Sequence, residues 1–102
     1  MYVSMSRLRV AASESGALVD AFRRRAHLVD GAPGFIDLEV WRSDRDPSEV
    51  LMVSRWTDRA SFTAYMRSDE HKRSHDRIPA ELQAAIKLER LEHLHTYEVV
   101  AT

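Results

Sequence analysis

A chain of 102 residues with 44% apolar and 30% charged side chains is the size of one domain, residues 1–102, and has the balance of a soluble globular protein. Its net charge of −1, with no basic stripe beyond Arg23-Arg24-Arg25, gives nucleic-acid binding little support. The lack of cysteine excludes disulfides, thiolate nucleophiles and Cys-ligated metal clusters and suits a reducing cytoplasm, while no signal-peptide pattern and no apolar run of roughly 20 residues point to export or a membrane.

Tyr2 to Val10 is rich in β-forming residues and reads as a first strand. Its apolar parity is poor, since Val3 and Met5 fall on one face and Leu8 and Val10 on the other. A bulge near Ser6 would reconcile them. Ser13 or Ser15 then caps a helix running to about Val29, with Leu18, Ala21, Phe22, Ala26 and Val29 as its apolar stripe. Asp30-Gly31-Ala32-Pro33-Gly34 stops that helix. Phe35 to Trp41 alternates, with Ile36, Leu38 and Val40 on one face, and Val50 to Trp56 forms the next strand across a polar loop.

Thr57 or Asp58 can cap a short helix presenting Phe62, Tyr65 and Met66. Ser68 can cap the following helix, with Asp69 and Glu70 favourably placed in its first turn. Pro79 interrupts it and can open a further helical segment through Leu82, Ala85 and Ile86. Leu91 to Val100 is the last strand, placing His93 and His95 in parity with Leu91, Tyr97 and Val99.

The order strand–helix–strand–strand–helices–strand suits an α+β, ferredoxin-like fold: an antiparallel sheet with helices on one face. The other sheet face would carry Tyr, His, Trp, Met and Val residues. A bare patch of that kind usually marks an interface or ligand site. Face-to-face packing of two copies as a homodimer is the simplest cover, and it eases the small interior of so short a chain.

His71 and His75, four residues apart, share one face of a helix. Histidine there can ligate a metal or heme iron or carry protons. An i, i+4 pair can also reach one zinc ion, although no third ligand is evident. His71 is expected at a pocket edge or in solvent. Phe22, Trp41 and Trp56 read as core or interface residues rather than cofactor contacts, and Arg23-Arg24-Arg25 as a solvated helical face.

Together these elements resemble the antibiotic-biosynthesis-monooxygenase (ABM) superfamily of dimeric α+β barrels. The resemblance is carried by Pro33-Gly34-Phe35, Val53-Ser54-Arg55-Trp56 and Ser61-Phe62. Within it the chain is similar to the IsdG-like heme-degrading branch. That resemblance implies that His75, in Lys72-Arg73-Ser74-His75-Asp76-Arg77, is the axial ligand of heme iron. Two further pocket residues of the branch are replaced. Ser6 stands where the family has an asparagine that donates to the distal oxygen ligand, and Tyr65 where it has a tryptophan that presses on the porphyrin.

What the resemblance implies is a heme-degrading monooxygenase. Heme would be both substrate and cofactor, and electrons would come from an external donor, a separate reductase or a small reductant. Two alternatives stay open. One is a cofactor-independent ABM oxygenase acting on a quinol- or anthrone-like aromatic. The other is a non-catalytic heme-binding dimer.

Overall fold

The computed structural model describes residues 1–24, 28–69, 71, 87–88 and 94–102. In chain order these form β1 (Tyr2–Arg9), a 3-10 turn (Ala12–Glu14), α1 (Ser15–Arg23), a second 3-10 turn (Leu28–Gly31), β2 (Phe35–Arg42), β3 (Glu49–Trp56), α2 (Arg59–Met66), β4 (Lys87–Leu88) and β5 (Leu94–Glu98). The strands make one antiparallel sheet in the order β2-β3-β1-β4, with β5 also paired to β1. β4 lies beside Leu8 and Arg9 while β5 lies beside Tyr2 to Ser6, so the two occupy successive stretches of the same edge of β1. This is the expected α+β ferredoxin-like sheet with helices packed on one side.

Register decides which side chains meet the helices. β1 pairs with β3 without interruption from Tyr2↔Trp56 to Arg9↔Glu49. The bulge expected near Ser6 is therefore absent. Leu8 and Val10 point to the helical side with Ser4, and Val3 and Met5 lie on the opposite, open face, which explains the mixed parity directly. The irregularity sits instead in β2, between Phe35 and Asp37. One extra residue there turns Ile36 outward to 42% exposure, while Phe35, Leu38 and Val40 pack inward. The expectation that Ile36 shares a face with Leu38 and Val40 fails for that reason.

The first helix is also shorter than its apolar stripe suggests. α1 ends at Arg23, and Val29 reaches the core from the separate 3-10 turn. Neither Ser13 nor Ser15 caps it. The N-cap position is Glu14 and makes no side-chain cap bond, while the Ser15 hydroxyl is buried with no partner among the described residues. Of the stripe, Ala26 lies outside the described residues, as do Pro79, Leu82, Ala85 and Ile86 of the expected later helix. Of the expected last strand, Leu94–Glu98 is paired and Val99 and Val100 fall beyond its end, while residues 91–93 lie outside the described residues; Lys87–Leu88 adds a strand pairing that the sequence did not signal.

α2 begins as expected. Asp58 accepts a 2.8 Å bond from the Ser61 N–H. That backbone donor, followed by the Ser61 hydroxyl, holds the Asp58 carboxyl below its ordinary value. Ser68 likewise accepts from the His71 N–H at 3.2 Å, as an N-cap does.

Gly34 explains why the Pro33-Gly34-Phe35 turn and Ser61 occur together. Its φ is +81°, and a Cβ there would collide with the Ser61 side chain and come 2.7 Å from Thr57 Oγ1. Its carbonyl accepts from the Thr57 N–H at 2.8 Å, so the turn is pinned to the start of α2. Gly34→Ala should therefore lose about 2 kcal/mol or more of stability from backbone strain and collision. Gly31→Ala, where a Cβ meets nothing within 4 Å, should be close to neutral. Urea unfolding of both variants checks this, and equal midpoints would contradict it.

Candidate functional site

The helix-facing side of the sheet carries two apolar clusters. One joins Leu8, Val10, Leu18, Phe22 and Val50, with Val40 and Met52 packed against it. The other joins Val29, Trp56, Phe62 and Tyr65, with Tyr2, Phe35, Leu38 and Leu94. Between them the sheet presents small hydroxyls. Ser4 pairs with Ser54 and Thr96 in one row, and Ser6 pairs with Met52 and Leu94 in the next. Met52 belongs to the first cluster and Leu94 to the second, so Ser6 lies at the seam.

Ser6 is half-buried, on the same strand face as Ser4 and Leu8. Among the described residues no side-chain hydrogen bond engages its hydroxyl. Ser54 differs, because it accepts from Trp56 Nε1 at 2.9 Å. A half-buried hydroxyl left uncommitted between two apolar walls is suited to donate to or accept from a ligand.

Tyr65 stands on the same side of the sheet. Its ring is buried, 5.5 Å from Trp56 and 5.3 Å from the His71 imidazole. Its carbonyl takes a 2.6 Å bond from the Ser68 hydroxyl. Leu94, which packs against this cluster, pairs with Ser6 across the strands, so the structure brings Ser6 and Tyr65 to neighbouring parts of one layer. Tyr65 also borders a cleft of about 640 Å³ between the Gly31-Ala32-Pro33 turn, Ala60 and Ala64 of α2, and Ser68 just beyond that helix. His71, expected at a pocket edge or in solvent, is half-buried against Tyr65. His75 and His93 lie outside the described residues. Among those described, no group of three His, Asp or Glu side chains is placed to hold a metal ion.

Phe22 and Trp56 are core residues, as expected, and Trp41 lies on the open sheet face at 42% exposure. That face also carries Val3, Met5, Leu51, Val53, His95 and Tyr97. At its β2 end Arg55 bonds Asp37 at 3.0 Å and Glu39 at 3.3 Å. These carboxylates, Asp37 first, hold the guanidinium above its ordinary pKa. Among the triple arginine, Arg23 pairs with Asp20 at 3.4 Å and Arg24 bonds the Asp20 carbonyl. The serine seam was missed in the sequence. Its signal was the even spacing of Ser4 and Ser6, which puts two small hydroxyls on one strand face with Leu8.

Comparison with known proteins adds three findings. The family model described as antibiotic biosynthesis monooxygenase (ABM) matches residues 1–77. The heme-degrader MhuD from Mycobacterium tuberculosis, solved with two hemes in its active site, has a similar fold. The TM-score is 0.79 at 20% identity, covering 100% of this chain and 98% of that one. SnoaB, a cofactor-independent oxygenase from Streptomyces nogalater, aligns with a TM-score of 0.71 at 17% identity over 99% of this chain and 94% of that one. At these identities the structures share the fold. A 42.8 kDa protein in the whiE locus of Streptomyces coelicolor is 34% identical over 53 residues, which is 52% of this chain but 13% of that protein.

If the seam is ligand space rather than part of the folding core, closing it should stabilise the protein. Ser6→Val adds apolar volume between Met52 and Leu94 and a β-branched side chain in a strand. We expect a gain of about 1 kcal/mol, measured as a raised thermal midpoint. A lowered midpoint would show that the hydroxyl is needed for the fold itself.

Proposed function

The chain belongs to the antibiotic biosynthesis monooxygenase family, and from that premise we propose that it binds heme and degrades it as an IsdG-like monooxygenase. The observation that carries this reading is the uncommitted Ser6 hydroxyl at the seam between the two apolar clusters. It stands at the strand position from which the IsdG-like branch reaches its ligand. The presence of a histidine at 75, and a fold that follows a heme degrader over its full length, support it further.

The chemistry of the side chains at and near the seam is compatible with a flat, largely apolar group. Cluster walls flank the seam, Ser6 supplies one polar contact, and His75 offers an imidazole. In this reading His75 ligates the iron, Ser6 orients a polar ligand by one rotatable hydroxyl, and Tyr65 walls the pocket beside Trp56. Tyr65 is itself packed against Trp56 and His71, so it shapes the pocket without pressing on a ring as an indole would. When bound, heme supplies the oxygen-activating metal and is itself the substrate, with electrons from an external donor. The protein's own contribution is to hold, orient and shield from water.

A second reading rests on the same replacements. With a serine and a buried phenol where the heme degraders have asparagine and tryptophan, the pocket also suits a cofactor-independent oxidation of a quinol-like aromatic. In either case the apolar open face, with Trp41 at 42% and Tyr97 at 51% exposure, fits a homodimer formed sheet to sheet. Sedimentation equilibrium at micromolar concentration should give twice the 11.7 kDa chain mass, and a monomer mass would contradict that assembly.

Heme titration followed by Soret absorbance tests the function. Wild type should bind saturably. His75→Ala should weaken binding at least tenfold, while His71→Ala should change it little. Adding a reductant in air should then bleach the Soret band of the wild-type complex. Binding without bleaching would leave heme capture without turnover. No loss in His75→Ala would remove the ligand assignment and favour the aromatic substrate.

A further inference from the structure

Three hydroxyl residues cross the sheet in one row. Ser54 of β3 stands directly opposite Ser4 of β1, and Ser4 directly opposite Thr96 of β5. All three lie on the helix-facing side, and along β1 the next residue on that side is Ser6. The row runs from the core to the margin of the sheet. Ser54 is half-buried and held by the indole of Trp56, which is itself 1% exposed. Ser4 is 4% exposed, and Thr96 is open to solvent.

Each hydroxyl of the row keeps hydrogen-bonding capacity. Ser54 Oγ accepts from Trp56 Nε1 at 2.9 Å, which leaves its own proton to donate. Among the described residues no side-chain hydrogen bond engages the hydroxyl of Ser4 or Thr96. A buried hydroxyl with no partner costs about 1–3 kcal/mol. Alanine or valine at position 4 would avoid that cost, so packing alone does not account for the serine. Directly opposed side chains have Cβ atoms about 5 Å apart. The Ser4 hydroxyl bonds neither neighbour directly, whereas one water making O–H···O bonds of about 2.8 Å to each side spans such a pair. Buried water is found where several otherwise unsatisfied polar groups converge in this way.

We infer that Ser54, Ser4 and Thr96 hold a file of bound water that links solvent at the β5 margin to the seam, and that this file is the proton route of the seam. Each hydroxyl accepts one hydrogen bond and donates another. A proton taken up by a ligand oxygen over the seam is therefore replaced from the next water and finally from solvent, with no net change in the protein. The apolar clusters on either side keep bulk water out, so protons enter without flooding the pocket. Hydration of the row stands on its own. Its use as a proton route rests on the seam being the ligand site, as proposed above. Ser4 and Thr96 are positioning residues in this scheme, since they act through water.

Indole N–H exchange, followed by NMR on isotope-labelled protein, tests the file without any ligand. The chain has two tryptophans, and Trp41, at 42% exposure, gives the reference for free access. The Trp56 Nε1 proton should show a cross-peak to water. It should exchange at least tenfold faster than the backbone N–H groups of the buried Val50 and Val53, which report opening of the core. Ser4→Val should slow that exchange severalfold, whereas Ser4→Thr, of the same shape with the hydroxyl kept, should retain it. Thr96→Val, which preserves shape on an exposed strand, should slow it as well. Trp56 exchange no faster than that of the core amides, equal slowing by Ser4→Val and Ser4→Thr, or unaltered exchange in Thr96→Val would each overturn the file. The proton route has its own readout. In the heme-bleaching assay Thr96→Val should lower the rate severalfold and change its solvent deuterium isotope effect while leaving heme affinity unaltered. The same rate and isotope effect as wild type would overturn the route. Wild-type protein that does not bleach heme, yet shows water-linked exchange at Trp56, would refute the proposed function and with it the proton route, and would leave the hydrated file standing.

Discussion

Burial of one indole organises the fold. Trp56 closes β3 at 1% exposure, and its ring lies 5.4 Å from Phe35, 5.7 Å from Phe62 and 5.5 Å from Tyr65. β2, β3 and α2 are therefore joined through one side chain, and Tyr2 of β1 reaches the same cluster through Phe62. Truncating such a residue typically costs about 3–5 kcal/mol. The indole N–H is satisfied by Ser54, which avoids the penalty of a buried orphan donor. Two residues later Asp58 caps α2, and Gly34 gives the β2 turn room against Ser61. The helix that carries Tyr65 is thus fixed from three directions.

That rigidity contrasts with the seam beside it. A sheet of this size would be more stable with an unbroken apolar layer beneath its helices. Instead Ser4, Ser6 and Ser54 interrupt it between the Leu18 and Trp56 clusters. Binding sites commonly keep such breaks at a cost in stability. An uncommitted hydroxyl flanked by well-packed walls is consistent with that trade. It also accounts for a core divided in two in so short a chain.

Much of the architecture was legible in the sequence because its signals are local. The capping Asp58, the turn at Gly34, the β-forming run of β3 and the aromatic positions of α2 each act through neighbours in the chain. The failures have non-local causes. The mixed parity of β1 looked like a bulge, yet each face simply carries apolar residues, Leu8 towards the helices and Val3 and Met5 on the open face. The true bulge at Ile36 gave no signal, since Ile36, Leu38 and Val40 alternate as a regular strand would. α1 stops at Arg23 although its apolar spacing continues to Val29, which packs from a 3-10 turn instead. The candidate residues were legible only through family resemblance. The shared layer of Ser6 and Tyr65 follows from the pairing of Ser6 with Leu94, a contact between the two ends of the chain.

In the function proposed here, the ligand would occupy the seam between the sheet and its helices, over Ser6, with His75 as the iron ligand. A crystal structure of the chain with bound heme tests it most directly. The account predicts the porphyrin on the helix-facing side of β1, within contact of Ser6 and bonded to His75. Heme on the open sheet face among Val3, Met5 and Tyr97, or ligated by another residue, would contradict it.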